Sequence, residues 1–240
     1  MLRKPNIDQP ADLISVLSDL LVGLVGLVGL VSVVGCGHGS WGMKVLLENE
    51  AVEILEVDFK VGSKTPRHYH RDALIYTLSD ARVRITGSDG KPADLNLKAN
   101  QILWRDAELR SLENIGETDL HVLNFDLKKA SKKTQAIAPE GNSLKSSPDI
   151  YSLLTDNHRV RVMEVRANAG AKTPLHAHPD AVLYFLSDAR IKLTFPDGTS
   201  EETQHKKGHA VWWPARSYAL ELLGDSTIRF LVVEMKTAPN

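Results

Sequence analysis

The chain has 240 residues, 42% of them hydrophobic and 25% charged, enough for one large or two small domains with proper cores. A formal net charge of −1 and a pI of about 6.8 argue against a nucleic-acid partner, which usually needs a basic face. The single cysteine, Cys36, excludes an intrachain disulfide framework and any multi-cysteine metal site.

Arg3 and Lys4 precede a polar segment and then an apolar run from Leu20 to Val34, built largely of Leu-Val-Gly units. At roughly fifteen residues the run is shorter than the roughly twenty that span a bilayer, and it falls within the range of a signal-peptide core. It ends in Val33-Val34-Gly35-Cys36, which resembles the lipobox of bacterial lipoproteins. The resemblance implies a signal peptide over 1–36, lipidation of Cys36, and a protein held by its lipid at the membrane of the cell envelope, in the periplasm or otherwise outside the cytoplasm. Asp8, Asp12 and Asp19 run against the usual basic start. The alternative is a buried or signal-anchor helix with a free thiol, in a cytoplasmic chain.

From Leu46 the chain repeats itself. An offset of 108 residues aligns Leu46–Lys128 with Leu154–Lys236 without a gap. About thirty of about eighty-five positions are identical, which marks a duplication. Each copy reads as short strands. Val52–Val57 is apolar with scattered charge, and Arg82–Thr86 and Arg190–Thr194 alternate cleanly. Asp89-Gly90 and Asp197-Gly198 are hairpin signals, with glycine supplying a positive φ. Ile102–Trp104 and Leu120–Phe125 complete the first copy, Ala210–Trp213 and Ile228–Val233 the second. No long helical periodicity appears, so the expected fold class is all-β, a sandwich or barrel of which the jelly roll is one solution. The boundaries read as 44–128 for one domain, 129–148 for a polar linker and 149–236 for the other. The linker lysines are expected to be solvated.

The stretch around which each copy is organised is Gly62-Ser63-Lys64-Thr65-Pro66-Arg67-His68-Tyr69-His70, repeated as Gly170-Ala171-Lys172-Thr173-Pro174-Leu175-His176-Ala177-His178. Histidines at i and i+2 of an extended chain point to one side, where they can share a metal ion. With Gly62, His68, His70 and Tyr76 in one copy and Gly170, His176, His178 and Tyr184 in the other, this resembles the first motif of the cupin superfamily. Gly208 and Pro214 resemble its second motif. The chain therefore looks like a tandem duplicate, a bicupin, which implies one double-stranded β-barrel per copy with a site inside each.

The departures from the family pattern are specific. The resemblance implies four metal ligands: two first-motif histidines, a carboxylate and a second-motif histidine. Ala73 and Ala181 stand where the carboxylate falls, and Arg110 and Tyr218 near the last histidine. Asn100 and Asp106 replace the second-motif glycine and proline in the first copy. His68, His70, His176 and His178 remain as expected ligands for a divalent metal such as Fe, Mn, Ni or Zn, with a metal-free pair as the alternative. Tyr218 is the candidate catalytic acid or base. Arg110 suits a carboxylate or other anion. Tyr76, Tyr184 and Trp212 are further candidate ligand-binding residues, although strand aromatics more often pack in cores. His121, His205 and His209 lie outside the motif spacing and are expected to be surface or satisfied core groups.

Two function classes follow. One is a metal-dependent cupin enzyme acting on a small organic acid or similar substrate. The other is a non-catalytic module that binds a small carboxylate or plays a structural part. The resemblance also implies pairing of barrels through their sheets, either in a homodimer or between the two copies of one chain.

Overall fold

In the computed structural model, which describes residues 30–31, 40–128 and 143–236, the short apolar runs of the sequence become antiparallel strands. Cys36 and most of the 129–148 linker lie outside the described residues. The first copy runs β1 (Leu30–Val31), β2 (Trp41–Glu48), β3 (Val52–Phe59), β4 (His68–His70), β5 (Ala73–Thr77), β6 (Ala81–Thr86), β7 (Pro92–Leu97), β8 (Ile102–Arg105), β9 (Glu108–Asn114) and β10 (Leu120–Leu127). A helical turn, α1 (Ser143–Ser146), opens the second copy. There follow β11 (Tyr151–Asp156), β12 (Val160–Asn168), β13 (His176–His178), β14 (Ala181–Phe185), β15 (Ala189–Thr194), β16 (Ser200–His205), β17 (Ala210–Trp213), β18 (Arg216–Leu223) and β19 (Thr227–Met235).

Each copy folds as two facing sheets. The order is β1-β2-β3-β10-β5-β8 against β4-β9-β6-β7 in the first, and β11-β12-β19-β14-β17 against β13-β18-β15-β16 in the second. The duplication extends to register: Tyr76 pairs with Leu123, and Tyr184 with Leu231, each 108 residues on. Both hairpin signals are turns with glycine at positive φ, 74° at Gly90 and 83° at Gly198. β1 lies within the apolar run, where Leu30 and Val31 pair with Lys44 and Met43.

Three apolar clusters account for the layers. One fills the second barrel, with Leu183, Phe185, Ile191, Leu193, Leu220 and Phe230 among its members. A smaller one fills the first, around Phe59, Val83, Leu97, Leu120 and Val122. The remaining cluster joins the copies: Leu74, Tyr76, Leu123 and Phe125 pack with Val182, Tyr184, Leu231 and Val233. β5 and β14 are thus covered on both faces, and β14 reads as an unbroken apolar run instead of an alternating one. Arg159 adds polar contacts across the join, donating to Asp72 Oδ2 at 2.5 Å and to the Lys128 carbonyl at 2.8 Å.

The segment 143–148, read from sequence as linker, packs on the second barrel. Ser143 and Ser147 are buried and Leu144 lies against the barrel core. α1 touches both β11 and β13.

Candidate functional site

Strand alternation decides which side chains enter each barrel. In β13, His176 and His178 are both buried, at 2% and 1% exposure, and Ala177 faces the other way. β13 pairs with β18 so that His176 lies opposite Tyr218 and His178 opposite Arg216. Tyr218 continues the inward row of Leu220 and Leu222. Its ring centroid lies 5.2 Å from that of His176 and 5.5 Å from that of His178, the latter stacked.

The hydrogen bonds fix both imidazole tautomers. His176 Nδ1 lies 2.8 Å from the Pro174 carbonyl, which can only accept, so Nδ1 carries the proton. Its Nε2 accepts from the Tyr151 hydroxyl at 3.0 Å. His178 Nδ1 donates to Glu234 Oε1 at 2.8 Å, leaving Nε2 buried with no hydrogen-bond partner among the described residues. Burial lowers the His176 pKa to about 4, so the ring is neutral at pH 7. Burial raises the Tyr151 and Tyr218 phenols above their usual range, so both keep their protons. Ala181, at the position of the family carboxylate, is a buried core residue. The second barrel therefore offers two inward imidazoles and two neutral phenols.

The first barrel has the same backbone and a different chemistry. His68 lies opposite Arg110 and His70 opposite Glu108. The two imidazoles share one side, with ring centroids 4.1 Å apart, while Tyr69 between them is 68% exposed. His68 is exposed, and its Nδ1 donates to the Pro66 carbonyl at 2.9 Å. His70 is half-buried, and its Nε2 has no partner among the described residues. The nearby guanidiniums add to burial there, taking the His70 pKa down to about 3. Arg110 is mostly buried; its Nη1 stands 3.6 Å from Glu108 Oε1 and its Nε has no partner among the described residues. Burial takes Arg110 down to about 10, still charged at pH 7. Arg105 is held by Asp126 at 2.6 Å, and Asn124 Oδ1 is a further buried atom without a partner among the described residues.

The 108-residue offset shows what changed between the copies. Arg105, Arg110 and Asp126 stand where the second copy has Trp213, Tyr218 and Glu234. Glu108 stands where it has Arg216, whose guanidinium lies 4.0 Å over the Trp213 ring. One interior is charged and the other aromatic.

Other candidates fall elsewhere. Tyr76, Tyr184 and Trp212, expected to contact a ligand, belong to the cluster between the copies. The reason is parity: Leu74 and Tyr76 on β5, and Val182 and Tyr184 on β14, face the partner barrel. Asp72 and Asp180 are committed to backbone amides of Ala107 and Ala215, both at 2.8 Å, and Asp72 also to Arg159. Asp58, Asp119 and His121 form a three-residue group that could hold a metal ion outside the barrel interiors. The Lys60 ammonium already sits there, 2.8 Å from Asp58 and 2.9 Å from Asp119.

Tyr151, Glu234, Arg105 and Asp126 escaped the sequence reading. Glu234 had a signal: it is a lone carboxylate in the run Phe230-Leu231-Val232-Val233-Glu234-Met235, and its equivalent Asp126 is likewise acidic. Tyr151 had none, since it precedes the aligned repeat.

Two double-stranded β-barrels in tandem, each carrying a His-x-His strand, define the bicupin architecture. No protein-family model matches the sequence, and no curated protein matches it. A tryptophan-to-tyrosine variant of oxalate decarboxylase from Bacillus subtilis is similar in structure, with a TM-score of 0.61 and 17% identity over 91% of this chain and 79% of that one. The same enzyme at pH 4.6 has a TM-score of 0.61 at 17% identity, over 91% and 78% of the two chains. A further structure of that enzyme, which has Mn(II) centres, has a TM-score of 0.58 at 15% identity, over 91% and 79%. The likeness is one of fold, and it bears out the expected pair of tandem cupin barrels.

Proposed function

We propose that the chain is a small-molecule-binding bicupin whose first barrel captures a small carboxylate through Arg110 and His70. The observation that supports this is the pair of buried nitrogens without partners among the described residues, Arg110 Nε and His70 Nε2, in a barrel lined by charge. Each such atom costs about 1–3 kcal/mol while unsatisfied. A carboxylate accepts from both at once, and His68, exposed beside them, lies on the side open to solvent. The test is calorimetry with small mono- and dicarboxylates. Binding lost in Arg110→Glu and retained in His176→Ala supports the reading, and binding indifferent to Arg110→Glu removes it.

A second reading is favoured by His178 Nε2. Both Nδ1 protons in the second barrel are committed, to Glu234 and to the Pro174 carbonyl, which is how ligating histidines are usually oriented. His178 Nε2 thus fits as one ligand of a divalent ion such as Mn, Fe, Ni or Zn, and His176 Nε2 as a second once the Tyr151 hydroxyl that now donates to it turns aside. With alanine at the carboxylate position, an acid substrate would complete the set. Such an ion, when bound, supplies Lewis-acid polarisation of a carboxylate or carbonyl. Tyr218, fully protonated at neutral pH, would hold a proton beside the imidazoles as general acid. Stoichiometric metal in purified protein, lost on His176→Ala, supports this reading; metal-free protein, or metal unchanged in that variant, counts against it.

The lipobox-like end at Cys36 supports a lipid-anchored protein of the cell envelope. Cys36→Ser should release it from membranes. Cleavage before Cys36 would also remove β1 and leave β2 at the sheet edge. The faces through which cupin barrels would pair in a homodimer are already spent between the two copies, so we read the functional unit as a single chain. A concentration-independent monomer mass would agree, and a stable dimer would not.

A further inference from the structure

The turn between β7 and β8 in the first copy and its counterpart between β16 and β17 in the second are built alike. In the first, the Gln101 amide donates to the Lys98 carbonyl at 3.3 Å, with Asn100 at φ 65°. In the second, the His209 amide donates to the Lys206 carbonyl at 3.0 Å, with Gly208 at φ 85°. A positive φ at this point folds the chain back, so the residues flanking the turn meet. The first copy has Leu97 and Gln101 there, and the second alone has His205 and His209.

Those two imidazoles converge, with Nδ1 atoms 3.2 Å apart. The contact is a hydrogen bond between the rings, and two nitrogens bound to one tetrahedral Zn(II) at about 2.05 Å lie about 3.3 Å apart, so an ion can take the place of the shared proton with little movement. His205 is also oriented for the task. Its Nε2 lies 3.0 Å from Thr203 Oγ1, and its ring stacks on Phe185 at 4.1 Å with an interplanar angle of 7°. In the tautomer that donates its Nε2 proton to Thr203 Oγ1, the His205 Nδ1 lone pair points at His209, and burial favours the neutral ring. His209 is exposed, so its own proton can move to Nε2 in water and the ion can enter from solvent. The adjacent Lys206 ammonium is held by Asp188 at 2.7 Å. Phe185 and Ala181 are opposite ends of β14, which separates this pair from His176 and His178.

We propose that His205 and His209 bind a borderline divalent cation, Zn(II) or Cu(II), each through Nδ1, with water completing the coordination and Thr203 as a positioning residue. The site is independent of the carboxylate and metal readings of the barrel interiors.

Zn(II) titration of the full chain by calorimetry, with imidazole nitrogen NMR as a second readout, tests it. His209→Gln, a change at an exposed side chain, should bind one Zn(II) fewer than wild type. Thr203→Val should keep the site and weaken it about tenfold, the usual loss when an orienting partner is removed. In wild type, Zn(II) should shift the Nδ1 resonances of His205 and His209. Equal zinc stoichiometry and affinity in wild type and His209→Gln would overturn the proposal. Zinc binding that responds to His176→Ala and not to His209→Gln, with those two resonances unmoved, would do so equally.

Discussion

His178 and Glu234 meet at 2.8 Å across the inside of the second barrel, one from β13 and the other from β19. The contact spans 56 residues of sequence and ties the two sheets of the barrel together. Arg161 stands 3.8 Å from the other carboxylate oxygen, so Glu234 is anchored from both sides. Glu234→Gln keeps the shape but weakens two charge-assisted contacts. It should cost about 1.5–3 kcal/mol, read by urea unfolding. If the barrel holds a metal, affinity should also fall about 10- to 100-fold.

The charged pocket of the first barrel predicts a different response. Arg110→Gln removes the cation but leaves a planar donor group. Carboxylate affinity should fall about 10- to 100-fold, the equivalent of one charge-assisted hydrogen bond. The matching change in the second barrel, Tyr218→Phe, should leave carboxylate affinity within about twofold by the same arithmetic. Calorimetry on both variants checks the asymmetry.

Acid should destabilise the fold through its buried histidines. His70 titrates at about 3 and His176 at about 4 in the native chain, both lowered by burial, against 6.5 when unfolded. Below 6.5 the unfolded chain binds protons that the native one refuses. Stability is therefore fully present above about pH 6.5 and falls as pH drops towards 4. His176 alone accounts for roughly 3 kcal/mol across that window. Urea midpoints at pH 7, 5.5 and 4.5 should decrease in that order, with a shallower decrease in His176→Gln.

The join between the copies has a buried apolar centre, so truncating it there should cost as much as truncating a barrel core. Leu231 is 0% exposed in the cluster shared by both copies. Leu231→Ala should lose about 2–5 kcal/mol, read from the denaturation midpoint, with both barrels unfolding together. Two separate transitions at wild-type midpoints would contradict the shared core.

Much of the fold was legible in the chain itself. The repeat fixed the equivalences, Asp89-Gly90 and Asp197-Gly198 marked hairpins, and the His-x-His parity placed both imidazoles of each pair on one side. The side on which Tyr76, Tyr184 and Trp212 lie was not legible, because a sheet buried on both faces shows no alternation from which to tell barrel interior from join. His205 and His209 looked like ordinary surface or core groups. Their meeting depends on a positive φ at Gly208 and on a ring stack with Phe185, neither of which spacing reveals. The partners of the motif histidines come from strands far along the chain, so Glu234 and Tyr151 had to be seen in place.

The most direct test is a crystal structure of the chain soaked with a small dicarboxylate such as oxalate. A carboxylate in the first barrel, with its oxygens in hydrogen-bond range of Arg110 Nε and His70 Nε2, is the expected result. A ligand seated only in the second barrel, or a first barrel whose Arg110 turns away to solvent, would contradict the reading.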